Sequence, residues 1–331
     1  AYPECIVVFQ LMPDHYEIRL VDFPDPTLPT SFERFLFNEA RHLRNQMQPG
    51  DRVITFLLIQ NDCIHAQLSV FCFDSNAVSP RRATFGGIEL NPILPLQYLD
   101  FFIAAILRWL TLNHVSQLII TQYPQGISAI VSESIAAALL KNGFQIALQE
   151  LNYHLAVLPD TPLEKIMHRG ERWKFRKSKQ LGFYFRALPE MPVSTLQNFI
   201  VEARLRKGHP VTLPDGLLTQ LFDLFPDAFQ AFGVFDQETL IALAITIKLN
   251  KDTLYTFHLA DHADYLQYSP TVTLVEGLWR YAQQLNYKII DLGIGTAQGK
   301  RNEGLIRFKK NLGAIESPKN TYIINLTDNT V

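Results

Sequence analysis

The chain has 331 residues, a length that suits two domains of ordinary size. Hydrophobic residues make up 47% and charged residues 19%, which excludes a disordered chain and supplies material for real cores. The net charge is −2, so any attraction to nucleic acid or an anionic surface has to come from a local patch. Cys5, Cys63 and Cys72 are an odd set with no metal-type spacing, which fits a reducing compartment. The most apolar run, Tyr98 to Leu112, is interrupted by Asp100 and Arg108 and is too short to span a bilayer. No secretory signal is read, and the expectation is a soluble cytoplasmic protein.

In chain order, Cys5 to Gln10 reads as a strand and Val21 to Thr30 as a proline-rich loop. Thr30 or Ser31 can cap a helix running to about Met47. Arg52 to Ile59 and Ile64 to Phe73 form a hairpin around Asn61-Asp62. Ser79-Pro80 through Gly86-Gly87 reads as a loop with backbone freedom. A helix then opens at Pro95 and runs to Asn113. Ser116 to Tyr123 is a strand, Ile127 to Asn142 a helix stopped by Gly143, and Phe144 to Leu158 one long strand or two short ones.

The second half repeats that order. Ser194 to Lys207 is helical, and strands follow at Ala231 to Phe235, Leu240 to Leu249 and Thr253 to Ala260. Ser269 caps a helix with Pro270 at its first position, running to Asn286. A strand at Tyr287, a helix at Gly304 and a strand at Asn320 to Leu326 complete it. Two copies of one mixed α/β unit are implied, displaced by roughly 170 residues, about one domain. The expected limits are 1–160 and 191–331, with a basic linker helix over 161–190. In that linker Arg169, Arg172, Arg176 and Lys179 would share a helix face, while Ile166 and Trp173 could anchor another. The basic face is either a solvated linker surface or a landing strip for phosphates.

The stretch around which the chain is organised is Lys288-Ile-Ile-Asp-Leu-Gly-Ile-Gly295 followed by Gly304-Leu-Ile-Arg-Phe-Lys-Lys-Asn-Leu-Gly313. On the helix, Leu305, Phe308 and Leu312 form an apolar stripe that Ile306 widens, and Lys309 falls inside it. Such a lysine either snorkels to water or holds a cation at the mouth of a cleft. Asp291 ends its strand where active sites of such sheets open. As a buried carboxylate it needs a partner, and Lys309 could supply one. Tyr265, Gln267 and Tyr268 could line the same cleft or pack around a loop. Gly293, Gly295 and Gly299 match neither a dinucleotide fingerprint nor a Walker loop and read as a flexible rim. His258 and His262 are four residues apart, but Leu259 and their strand-to-turn setting deny them a helical zinc motif, and no metal is expected.

These residues together resemble the Fem-type transferases, tandem members of the GNAT acyltransferase superfamily. The matching pieces are Ser269 to Trp279, Ile290-Asp-Leu-Gly293 and Gly304 to Gly313. Further matches are the glycine-pair loop Ser79 to Ile88 and the basic segment Arg172 to Gly182. The resemblance implies a fold of two tandem GNAT-like domains with a mixed sheet, and N-acyl transfer as the activity. It makes Lys309 the cation near the developing oxyanion, with Asp291 beside it. Arg169, Arg172, Arg176, Lys179, Gly86, Gly87, Tyr265 and Tyr268 would bind substrate, with acceptor phosphates in a cleft between the copies. No tightly bound cofactor is expected. The acyl donor is aminoacyl-tRNA or acyl-CoA. The acceptor is an amine of a peptidoglycan precursor or a related molecule, with transient contact to a membrane-borne lipid precursor. The segment Tyr265-Leu-Gln-Tyr-Ser-Pro270 stands where the superfamily's glycine-bearing pyrophosphate loop would be. The first copy has Lys141 near the matching helix end but no Asp-x-Gly before it, so it is expected to bind or scaffold. Two alternatives remain: an acyl-CoA-dependent transferase of a small amine or amino sugar, and a non-catalytic fold that binds precursor or RNA.

Overall fold

The computed structural model describes residues 7–11, 15–208, 214 and 216–326. The chain divides into two compact units, one made by the residues up to Leu151 with those from Ser317, the other by Asn152–Glu316. The helix read as a linker lies inside the second unit, and most of the last strand belongs to the first.

The elements are β1 (Val7–Leu11), β2 (Glu17–Val21), α1 (Ala40–Gln46), β3 (Arg52–Gln60), β4 (Cys63–Phe73), β5 (Asn76–Ser79), β6 (Glu89–Leu90), α2 (Leu96–Leu112), β7 (Gln117–Thr121), α3 (Ala129–Lys141) and β8 (Gln145–Ala156). They continue with α4 (Arg169–Gln180), β9 (Tyr184–Ala187), α5 (Val193–Arg206), α6 (Leu217–Leu224), β10 (Phe229–Asp236), β11 (Thr239–Lys248), β12 (Thr253–Asp261), α7 (Pro270–Gln284), β13 (Ile289–Ile294), β14 (Thr296–Ala297), β15 (Lys300–Arg301), α8 (Glu303–Asn311) and β16 (Ile315–Asn325). Cys5, which began the expected first strand, lies outside the described residues.

In the first unit the strand order is β1-β2-β3-β4-β5-β7-β16, with β6 paired to β4. Neighbours are antiparallel except β5 and β7. The helix expected from Thr30 or Ser31 to Met47 is not formed over most of that span. A 3-10 turn covers Leu36–Asn38 and only α1 is α-helical. Tertiary bonds outcompete the first helical turns: Ser31 N–H donates to Ile64 O at 2.9 Å, and Phe35 N–H to the buried Glu89 carboxyl at 2.5 Å. The Gly86-Gly87 loop also lacks the freedom expected of it. Both glycines are buried, Gly87 N–H donates to Ser79 Oγ at 2.9 Å, and a Cβ on Gly87 would sit 2.1 Å from Gln122 Oε1. Gln122 bonds both the N–H and the carbonyl of Ile88.

In the second unit the order is β8-β13-β12-β11-β10-β9, with β12 and β13 parallel and the other pairs antiparallel. β10 and β11 are near-continuous apolar runs because the sheet is buried on both faces there, whereas β12 is buried from Thr253 to Thr256 and half-buried over the next three residues. α7 is almost wholly buried. Its Trp279 is fully enclosed, and the indole N–H donates to Thr161 O at 2.8 Å. Ser269 precedes Pro270 as expected but makes no side-chain cap bond, since its φ is +50°. β2, β9 and α6 had no clear sequence signal: two strands of four or five residues and a two-turn helix are too short for periodicity to declare.

Candidate active site at the end of the central strand

β13 carries Ile290 and Leu292 to one face and Asp291 to the other, all buried. Its pairing with β8 slips between Asp291 and Ile294. Gly293 makes the slip possible, with φ at +73°, a conformation that side chains other than glycine disfavour. Asp291 Oδ1 accepts the Gly293 N–H at 2.8 Å, so the carboxylate fixes the bulge it precedes. The bulge turns the carbonyls of Gly293 and Ile294 toward α8.

Lys309 meets them. Its ammonium donates to Gly293 O at 2.9 Å and to Ile294 O at 2.8 Å, and the residue is only 4% exposed. The Tyr153 ring lies 5.7 Å from Nζ. Burial pushes the lysine pKa down to about 8, with Asp291 pulling the other way. Near pH 7 the group is still mostly a cation. An ammonium has three donors, and two are spent on the bulge. Lys309 therefore sits on the packing face, as the periodicity indicated. That face is centred differently from expectation: Ile306, Lys309 and Leu312 are buried, whereas Leu305 is 37% exposed. Close approach explains the shift. At Gly295 a Cβ would lie 2.7 Å from both Ile306 and the Tyr153 ring, so the strand end presses on this side of α8.

The segment between β13 and α8 is a closed hairpin, not a flexible rim. Thr296 pairs with Arg301 and Ala297 with Lys300, and Asn302 N–H donates to Gly295 O at 2.9 Å. Asn302 Oδ1 then caps α8 by accepting from Leu305 N–H at 3.1 Å.

Residues of β8 that the sequence reading passed over complete the site. Asn152 Nδ2 donates to Asp291 Oδ1 at 2.7 Å. His154 stands opposite Asp291 in the β8–β13 register, 7% exposed, and its Nδ1 is buried without a partner among the described residues. Burial lowers the His154 pKa, against the pull of Asp291, which favours the neutral ring. Tyr153, on the other face, donates its hydroxyl to Glu316 at 2.6 Å, and Lys310 reaches the same carboxylate at 2.9 Å. The alternation of polar Asn152 and His154 was the available signal. The strand they would face was not readable.

The basic segment forms α4, capped by His168, whose Nδ1 accepts from Gly170 N–H. Glu171, Phe175 and Ser178 are its buried side, and Ser178 bonds Thr273 of α7. Ile166 and Trp173 do not anchor it: Ile166 precedes the helix and Trp173 is 61% exposed. Arg169, Arg176 and Lys179 are exposed. Arg172 is half-buried, with one N–H donated to Met167 O at 3.0 Å and its Nε buried unpaired. Arg176 pairs with Glu164. Tyr268 comes close to α4, since Lys177 Nζ lies 5.3 Å from the Trp173 ring and 5.5 Å from the Tyr268 ring. Tyr265 packs on Phe183 with Tyr268 and donates to Asp236 at 3.0 Å. α4 is tied to α8, because His168 N–H donates to Asn311 O at 2.7 Å and Asn311 Nδ2 to Glu171 at 3.3 Å.

His262 caps the 3-10 turn Ala263–Tyr268 by accepting from Asp264 N–H, and among the described residues no group of His, Cys, Asp and Glu has a metal-ligating arrangement. In the first unit, Lys141 is exposed and pairs with Asp100 at 2.5 Å, unlike the enclosed Lys309.

No family model matches the sequence, and no curated protein matches it. Among solved structures, the chain is similar to FemX, with 11% identity over 88% of this chain and 92% of that one, and a TM-score of 0.68. It is also similar to the C-terminal domain of a putative lysylphosphatidylglycerol synthetase from Agrobacterium fabrum, at 9% identity, 79% and 81% coverage and a TM-score of 0.52. A conserved protein of unknown function from Bacteroides thetaiotaomicron gives 10% identity, 81% and 84% coverage and 0.52. At such identities the likeness is one of fold: the chain has the mixed α/β architecture of FemX over most of its length.

Proposed function

We propose that the protein is an N-acyltransferase of the FemX-like kind, passing an aminoacyl or acyl group to an amine. The observation that carries this reading is the enclosed Lys309 ammonium, held by two adjacent carbonyls at the glycine bulge after Asp291. Acyl transfer needs a neutral amine to attack an ester or thioester carbonyl. The new N–C bond places negative charge on that oxygen before the ester oxygen or thiol leaves and the amine proton is lost. A cation fixed in advance, with water largely excluded, stabilises that charge far more than one in bulk solvent. The third Lys309 N–H is the donor available for it. Asp291 and Asn152 hold the bulge and the lysine's position, so Asp291 acts next to the reacting atoms without a required proton transfer.

The donor we favour is an aminoacyl ester. The turn before α7 uses its N–H groups internally: Asp264 N–H donates to His262, Tyr265 N–H to His262 O and Ser269 N–H to Leu266 O. That speaks against a pyrophosphate cradle there. The acceptor is an amine on a peptidoglycan-precursor-like molecule. Its anionic part is assigned to the basic side of α4 (Arg169, Arg172, Arg176 and Lys179), with Tyr265 and Tyr268 beside it.

The test offers the protein tRNA charged with labelled amino acids, or labelled acetyl-CoA, with a UDP-linked muramyl pentapeptide bearing a free lysine amine. Label reaching the acceptor from charged tRNA supports the reading. Transfer from acetyl-CoA alone moves the protein to the second donor class, and no transfer from either removes the acceptor or the activity.

A further inference from the structure

We infer that the outward face of α4 is a docking surface for an anionic phospholipid bilayer. At about 100° per residue, Arg169, Trp173, Arg176, Lys177 and Gln180 fall on one side of this helix, opposite Glu171, Phe175 and Ser178. The inner side is sealed. The outer side keeps a tryptophan 61% exposed, with Leu181 at the helix end 44% exposed. On the turn that meets α4 through Tyr268, Leu266 is 46% exposed. An exposed tryptophan among cations, on a helix whose other side is buried, is the composition of helices that lie in a membrane interface.

The charges around it are mostly positive. Glu164 offsets Arg176, and Asp264 lies exposed on the neighbouring turn. Among the described residues Arg169, Lys177 and Lys179 have no carboxylate partner. The whole chain is slightly acidic, so this cationic face is a local feature. Lys177 lies over the Trp173 ring, an amphipathic pair suited to the headgroup layer: the indole reaches the acyl boundary and the cation stays with phosphate. Leu181 and Leu266 favour a bilayer over nucleic acid, since aliphatic side chains enter acyl chains but give nothing to a stacked base. Among the described residues no helix is long and apolar enough to cross a membrane, so the contact is peripheral. The inference concerns the helix given above to the acceptor, but it does not depend on the transfer chemistry, because docking is measured with no acyl donor present.

The test is co-sedimentation of the full chain with vesicles of phosphatidylcholine alone or mixed with phosphatidylglycerol, at low and physiological salt. Binding should require phosphatidylglycerol and weaken with salt. Each cation removed should lower partitioning roughly five-fold, so the triple variant Arg169→Glu, Lys177→Glu, Lys179→Glu should lose a hundred-fold or more. Brominated lipid should quench tryptophan fluorescence in the wild type and not in Trp173→Phe. Should the triple variant misfold, Trp173→Ala alone decides by the same assay. Equal binding to neutral vesicles, undiminished binding of the variants, or quenching that survives Trp173→Phe would overturn the inference. So would single-stranded RNA that displaces the vesicles and binds more tightly, which would assign the face to nucleic acid. Docking without transfer, or transfer without docking, tells which of the two conclusions has failed.

Discussion

The Lys309 ammonium lies 2.9 Å from the Gly293 carbonyl oxygen, and Gly293 adopts a conformation that only glycine takes without strain. The lysine's placement thus depends on a backbone feature one strand away. The Asp291 carboxylate secures that feature through the Gly293 N–H. A helix cation, a glycine and an aspartate form one device, and changing any of them moves the other two.

Lys309 should give the protein an unusual alkaline stability profile. Its pKa falls from the ordinary lysine value to about 8 on folding, so between pH 8 and the ordinary value the unfolded chain binds more protons than the folded one. Stability therefore rises with pH across that window, by an amount on the order of 3 kcal/mol for a shift of this size. Urea unfolding of wild type and Lys309→Met from pH 7 to 10.5 measures it: the wild type gains stability with pH relative to the variant.

Glu89 predicts the opposite trend in the first unit. Burial raises its pKa to about 8, with the Phe35 N–H acting against the rise. The unfolded chain releases this proton near the ordinary carboxyl range, so the folded state loses stability as pH rises toward 8 and levels off above. Glu89→Gln keeps an acceptor for Phe35 N–H and should flatten that slope. Thermal unfolding at several pH values between 5 and 8 reads the difference.

Gly295→Ala should be costly for its size. The added methyl would meet Ile306 and Tyr153 at 2.7 Å, and Tyr153 is held by its bond to Glu316. Overpacking of this kind costs about 1–3 kcal/mol. Because α8 would have to shift, transfer should also fall, more than in an equally destabilised variant remote from the site. Denaturant midpoints beside single-turnover rates separate the two effects.

Tyr153→Phe should act mildly. It deletes the hydroxyl bonded to Glu316 but keeps the ring beside Lys309, so a loss of roughly 1 kcal/mol in stability is expected with turnover nearly kept. Tyr153→Ala removes the ring as well and should lower turnover further, measured in the same transfer assay.

Much of this architecture was legible from residue order. The hairpin of β3 and β4, the helices α2, α3, α5 and α7, and the placement of Lys309 on the packing side of α8 followed from periodicity and caps. What stayed hidden was decided by distant partners. The helix expected after Ser31 gave way because Ile64 and Glu89 claim its first N–H groups. Trp173 read as an anchor because a heptad spacing to Ile166 says nothing about where the helix starts. Asn152 and His154 were missed because their meaning lies in Asp291, which is more than a hundred residues away in sequence. Local pattern shows which face of an element is apolar, whereas a polar site depends on which strands become neighbours.

The most direct measurement is single-turnover transfer at pH 7 by wild type and Lys309→Met, with folding of the variant checked first, because the buried Gly293 carbonyl loses its donor at a cost of about 1–3 kcal/mol and the part-buried Ile294 carbonyl loses its own. The account predicts a fall in the transfer rate of roughly a hundred-fold or more, with acceptor binding little changed. A folded Lys309→Met that transfers at the wild-type rate would contradict it.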